Sequence, residues 1–178
     1  MEEEEEIVRI PAERIGVLVG EGGKNKAMLE KGCNIKLTVT SDGEVTIKGE
    51  STDVFFARDV VLAIGRGFEP SIAMALTKHD HALYIFHLKE YLSSDKAITR
   101  IKGRVIGENG RMKAEIENAT GSFISVYGNT IGVISRIDSL EYAKKAIEML
   151  IGGAKHSTVY AYLAKVKRRI FEERIRGL

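Results

Sequence analysis

The chain has 178 residues, 44% apolar and 29% charged, with one cysteine and no tryptophan. That mixture describes an ordinary globular protein of a reducing cytoplasm. It excludes an internal disulfide framework and a cysteine-based zinc site, no apolar run nears the ~20 residues of a membrane span, and the start MEEEEE is the opposite of a basic leader. The net charge of +2 hides an asymmetry: residues 1–68 hold 9 Lys and Arg against 13 Asp and Glu, residues 69–178 hold 18 against 12. Affinity for a polyanion scales with the cations near it, so the second half is expected to grip one harder.

In chain order, residues 1–6 are expected to be a solvated acidic tail. Ile7, Val8, Arg9 and Ile10 read as a strand closed by Pro11, followed by a short helix over 12–19, a glycine loop over 20–23 and a second helix over 24–31 ended at Gly32. Ile35, Leu37 and Val39 alternate as a strand, Ser41, Asp42 and Gly43 make a turn, and Val45 and Ile47 alternate in the return strand. Ser51 or Asp53 is expected to cap a helix reaching Ile64, with Val54, Ala57 and Val61 on its apolar face. Residues 70–81 read as a linker with a short helix. A strand over 83–88 then opens a second series. Ser93, Ser94 and Asp95 lead into a helix carrying Ile98, Ile101, Val105 and Ile106, which runs into a loop over 107–110. The next helix carries Met112, Ala114 and Ile116; strands at 123–126 and 131–134 flank Gly128 and Asn129; Asp138 is expected to cap a closing helix with Ala143, Ala146, Ile147 and Leu150. Over 155–178, Val159, Leu163, Val166 and Ile170 fall at helical spacing opposite Lys165, Arg168 and Arg169. This predicts an amphipathic basic helix packed by its stripe, its charged face open to water, RNA or a partner.

The two series are copies. Shifted by 87 residues, IGVLVGEGGKNKAMLE lies on KGRVIGENGRMKAEIE, with Gly16, Gly20, Gly23, Lys26, Ala27 and Glu30 on Gly103, Gly107, Gly110, Lys113, Ala114 and Glu117. A single Gly-x-x-Gly occurs by chance in many loops; two inside matched flanks do not. Strand, helix, Gly-x-x-Gly, helix, strand, strand, helix is the order of a type I KH domain, a clamp for single-stranded nucleic acid. The expected fold is therefore α+β, two tandem type I KH domains (βααββα) over 7–69 and 82–154, plus the basic C-terminal helix.

The loop chemistry follows from the residue types. Glycine tolerates positive φ and has no Cβ, so a sugar-phosphate backbone can lie against the peptide. The loop also feeds a helix N-terminus, whose unpaired N–H groups favour an anion. Candidate RNA-binding residues in the second copy are Gly107, Glu108, Asn109 and Gly110, the cations Arg100, Lys102, Arg104, Arg111 and Lys113, and an aliphatic groove floor of Ile106, Ile116 and Ile124. In the first copy they are Gly20, Glu21, Gly22 and Gly23 with Arg14, Lys24 and Lys26, and Val19, Leu29 and Leu37 match the floor. Glu21 and Glu108 repel phosphate at a position where RNA-binding KH loops usually carry a base. The arginines of the second copy outweigh that repulsion, and its domain is expected to dominate. A P-loop is excluded: Leu18 stands where its first glycine belongs and Asn25 where its Ser or Thr belongs. His79, Asp80, His81 and His87 lie on a turn and strand edge without cysteine partners, so no metal site is expected. No nucleophile–base pair or carboxylate pair stands out, and the chain reads as a non-enzyme without a cofactor.

The two KH patterns, the run GENGRMKAEIENATG and the basic closing helix together resemble the Partner-of-Nob-One family of small-subunit ribosome assembly factors of archaea and eukaryotes. The resemblance implies single-stranded RNA binding near the 3′ end of small-subunit rRNA, and partnership with the Nob-One endonuclease and the rRNA dimethyladenosine transferase. Eukaryotic members have lost the first glycine loop, which is intact here over 20–23. The alternative is a protein-interaction scaffold of the pre-ribosome, like the related double-KH Krr type, with little RNA affinity of its own.

Overall fold

The computed structural model describes residues 3–177, which form two compact units divided between Leu83 and Tyr84. The first contains β1 (Glu3–Arg9), a 3-10 turn at Ala12–Arg14, α1 (Ile15–Val19), a second such turn at Glu21–Gly23, α2 (Lys24–Cys33), β2 (Ile35–Val39), β3 (Glu44–Glu50), α3 (Ser51–Gly65), α4 (Pro70–Ala73) and a 3-10 turn at Met74–Thr77. The strands pair antiparallel in the order β1-β3-β2, with Val8 opposite Val45 and Leu37 opposite Ile47. Strand alternation then sorts the faces. Val8, Ile35, Leu37, Val45 and Ile47 are buried with Leu18, Leu29, Val54, Ala57, Val61 and Ile64 of the helical layer, while Glu5, Arg9, Lys36 and Lys48 are exposed.

The expected acidic tail is instead part of β1, which pairs with β3 as far as Glu3 opposite Glu50. Two things offset the repulsion of the glutamate run. The ladder takes up the backbone groups on its β3 side, and cations lie across it: Lys48 Nζ is 2.8 Å from Glu5 Oε2, and Arg58 Nε is 2.7 Å from Glu6 Oε1. Met1 and Glu2 lie outside the described residues. The stretch read as a linker is also built in: the segment 70–77 is helical and packs on α2 and α3, with Ala73 and Leu76 buried.

Helix ends also depart from expectation. α2 runs through Gly32 and stops at Asn34, which takes the left-handed conformation at φ 54°. Neither Ser51 nor Asp53 caps α3, whose N-cap is Glu50 without a side-chain bond; Asp53 accepts from Asn34 Nδ2 at 2.8 Å. Asp138 likewise sits inside its helix and accepts from Arg136 at 2.9 Å. Both aspartates lie in first turns, where a carboxylate favours the helix dipole without capping.

The second series runs β4 (His81–His87), α5 (Leu88–Tyr91), α6 (Asp95–Ile106), a 3-10 turn at Glu108–Gly110, α7 (Arg111–Thr120), β5 (Phe123–Tyr127), β6 (Thr130–Arg136), α8 (Ile137–Ile151) and α9 (His156–Ile175). The sheet order is β4-β6-β5. Ser94 caps α6, its hydroxyl accepting from the Ala97 N–H at 3.2 Å. One core joins Phe86, Ile101, Val105, Met112, Ile116, Ile131, Val133 and Ile147 with Val159 and Leu163 of α9. The α9 helix packs on α7 and α8, so the predicted amphipathic helix completes this core.

Candidate nucleic-acid interface

Each loop is a chain reversal written in glycine dihedrals. α1 ends where Gly20 takes φ 73° and ψ 171°, and α6 ends where Gly107 takes φ 74° and ψ 174°. The third positions, Gly22 and Asn109, sit at φ 59° and 51°, and Gly23 and Gly110 at 78° and 75°. The ties repeat too: Gly23 N–H reaches Gly20 O at 3.1 Å and Gly110 N–H reaches Gly107 O at 3.2 Å.

The two glycines of a loop are needed for different reasons. A Cβ on Gly107 would stand 2.7 Å from the Cβ of Met112 and 2.8 Å from its nitrogen, and one on Gly20 would stand 2.7 Å from Asn25 Cγ. Those positions face inward. Around Gly23 and Gly110 nothing lies within 4 Å of a Cβ. Their open side, at the uncapped N-termini of α2 and α7, is where a phosphate can approach.

The predicted cations divide into three groups. Arg100, Arg111 and Lys24 are exposed and Lys102 half-exposed, with no ion pair among the described residues. Arg14 and Arg104 are half-buried braces. Arg14 donates from Nε to Ile64 O at 2.8 Å and from Nη2 to Phe68 O at 2.9 Å, and Arg104 donates from Nη2 to Ala154 O. Arg14, in the turn before α1, is tied to the end of α3 and the residues after it, and Arg104 of α6 to the turn after α8; the two positions do not correspond in the repeat. The third group is Lys26 and Lys113, whose ammonium groups lie 3.9 Å and 3.2 Å from Glu30 and Glu117.

The predicted floor is mostly core. Leu29, Leu37, Ile116 and Ile124 are 1%, 3%, 0% and 4% exposed, whereas Ile106 is 38% exposed and Val19 half-buried. The residue just before each loop reaches the surface; those inside helix and strand turn to the sheet.

Sequence reasoning missed one feature. Glu117 Oε1 accepts the backbone N–H of Ile124 at 2.8 Å, and Glu30 Oε1 accepts that of Leu37 at 2.8 Å. The aligned Lys-x-x-x-Glu in both copies was its visible signal.

Two Gly-x-x-Gly loops, each joining two helices that precede the hairpin of a three-stranded sheet, define a tandem type I KH protein. Family models agree: residues 82–168 match the second KH domain of PNO1, described as a eukaryotic-type (type I) KH domain, and residues 4–63 match the KH domain. The chain is 43% identical over 176 residues to a KH domain-containing protein of Methanocaldococcus jannaschii, covering 94% of this chain and 78% of that one. It is 33% identical over 137 residues to the pre-rRNA-processing protein pno1 of Aspergillus fumigatus, covering 75% of this chain and 51% of that one. A crystal structure of an a/eIF2alpha–aDim2p–rRNA complex from Pyrococcus horikoshii matches with a TM-score of 0.88 at 40% identity, over 94% of this chain and 96% of that one. The chain belongs to the PNO1/Dim2 family of double-KH proteins. Among the described residues no helix is long and apolar enough to cross a membrane.

Proposed function

We propose that the protein binds single-stranded RNA near the 3′ end of small-subunit rRNA during maturation of the small ribosomal subunit, with the second KH domain dominant. The observation that carries this reading is the Gly110 side of the second loop, open around a helix N-terminus, with Arg111 exposed next to it and Arg100 and Lys102 on the preceding helix without ion pairs among the described residues. The aDim2p relative seen together with rRNA supports it. The protein works in the cytoplasm by holding RNA rather than by catalysis. Its partners in that setting are a Nob-One-type endonuclease and the rRNA dimethyladenosine transferase. A KH groove takes about four unstacked nucleotides, and a duplex does not enter it. A competition assay at fixed salt, with an oligonucleotide of the rRNA 3′ end offered single-stranded or annealed to its complement, is expected to show binding of the single strand alone. Equal binding to both would mean that a basic surface, not the groove, takes the RNA.

A further inference from the structure

β1 is an edge strand, paired with β3 on one side only. Every second residue of such a strand turns its N–H and C=O outward, and no hydrogen bond among the described residues takes the outward groups of Glu3 to Arg9. Its side chains alternate between two faces. Glu4 and Glu6 share the side of Val8, towards the helical layer, while Glu3, Glu5 and Ile7 lie on the open side. On the helical side a cleft of about 490 Å³ opens between β1 and the first turns of α3, lined by Glu4, Glu6, Ser51, Thr52, Phe55 and Phe56. Phe55 is 65% exposed and meets Phe56 edge-on at 5.5 Å; Phe56 meets His79 at 5.1 Å, so the aromatic row is held from behind. An exposed phenylalanine alone means little. This one stands beside an open strand edge and a surplus of carboxylates. Lys48 pairs with Glu5, and Arg58 is shared by Glu6 and Asp59; Glu3, Glu4 and Glu50 opposite Glu3 have no ion pair among the described residues. Such an edge repels phosphate, in RNA or in a lipid headgroup, and attracts cations.

We propose that β1 and this cleft dock an extended basic segment of a protein partner, which joins the first sheet as a fourth strand. In that mode main-chain bonds supply affinity and alternate side chains supply selectivity. A residue opposite Glu4 projects into the cleft, where a lysine or arginine lies between the Glu4 carboxylate and the Phe55 ring and gains an ion pair and a cation–π contact together. On the other face, cations opposite Glu3 and Glu5 meet carboxylates, and an apolar side chain covers Ile7, which is 57% exposed. The partner's signature is an extended run of Lys and Arg closed by an apolar residue. The site uses none of the residues assigned to RNA above, and its test is independent of that reading.

The full chain is titrated into a fluorescein-labelled peptide, KVRKRVK, and binding is read as anisotropy. Saturable binding is expected. The same peptide methylated on its backbone nitrogens keeps every charge and loses the ladder, and should bind at least about ten-fold more weakly. The acidic counterpart EVEEEVE should not bind. Phe55→Ser and Glu4→Lys, both at exposed positions, should each weaken the basic peptide by about three- to five-fold with unfolding midpoints unchanged. No binding at millimolar peptide, or equal affinity for the methylated peptide, overturns the proposal, and so does an unchanged affinity in both variants. Loss of binding to the rRNA 3′-end oligonucleotide in Phe55→Ser would make the cleft an RNA contact and overturn it as well.

Discussion

The two KH domains have nearly the same loop and different surroundings. The dihedrals of Gly20, Gly22 and Gly23 agree with those of Gly107, Asn109 and Gly110 within about 10°, yet α1 is 5 residues long and α6 is 12. The inward glycine packs on Asn25 in one copy and Met112 in the other. Asn25 also donates to Val17 O at 2.8 Å, a bond methionine cannot make. The loop is thus specified by its glycines and tolerates different supports. What differs is the number of cations without ion partners among the described residues, Arg100, Lys102 and Arg111 on the helices flanking the second loop against Lys24 at the first, and a helix, α9, filling out the second core. On the function proposed above, loop geometry admits RNA in both copies and the neighbouring charge sets the strength of binding.

That comparison breaks most sharply at α9. Leu163 is fully buried, and Leu163→Ala should cost about 2–5 kcal/mol of the second unit's stability, read by chemical denaturation. A loss below about 1 kcal/mol, the range of a surface change, would mean that the helix is an appendage. Next comes the loop contrast. Gly110→Asp puts a carboxylate on the open side at a strain of about 1–2 kcal/mol for the left-handed backbone, and RNA affinity should fall at least ten-fold. Gly23→Asp should cost less, and equal losses in a titration would end the claim that the second domain dominates. The braces come third. Arg14 serves two carbonyls and Arg104 one, so Arg14→Ala should destabilise by about 1.5–3 kcal/mol and Arg104→Ala by less, measured as unfolding midpoints.

Smaller effects sharpen the electrostatic side. Glu108→Lys changes the loop by two charges, and the slope of log affinity against log salt should steepen by roughly 0.7 to 1.4. A flat response would place the loop away from phosphate. Burial, with Asp53 nearby, pushes the Cys33 thiol up to about 11 from an ordinary 9.0. The folded protein should therefore alkylate slowly at pH 8 and quickly once unfolded. The sign for stability follows from the same shift. The contribution is fully present below pH 9, where both states keep the proton, and is lost as pH rises towards 11. Rapid alkylation of the native protein would contradict the burial.

The glycine repeat, the strand alternation and the α9 stripe were legible because they are periodic or duplicated, and periodicity survives without coordinates. Glu3 to Glu6 were not, since their like charges argue for a tail until Lys48 and Arg58 are known to lie across from them. Ile116 looked like groove floor because sequence shows that a residue is apolar, not which way its helix face turns. Arg104 looked like a phosphate ligand because it is three residues from a loop glycine; its reach to Ala154, fifty residues on, depends on tertiary packing. The tie from Glu117 to the Ile124 amide involves a backbone group and leaves no compositional trace beyond the repeated Lys-x-x-x-Glu.

The glutamate-bearing β1 has a further consequence, for self-association. It lies at the edge of its sheet, and an unpaired edge is a template on which a second molecule can add a strand. Two such edges meeting would set Glu3, Glu4, Glu5 and Glu6 of one copy close to those of the other, with few cations on the strand to relieve them. The run that reads as a tail thus acts as an electrostatic fence along the exposed backbone. The fence weakens where the carboxylates protonate or salt screens them, so acid or concentrated salt is where oligomers joined through β1 should first be seen.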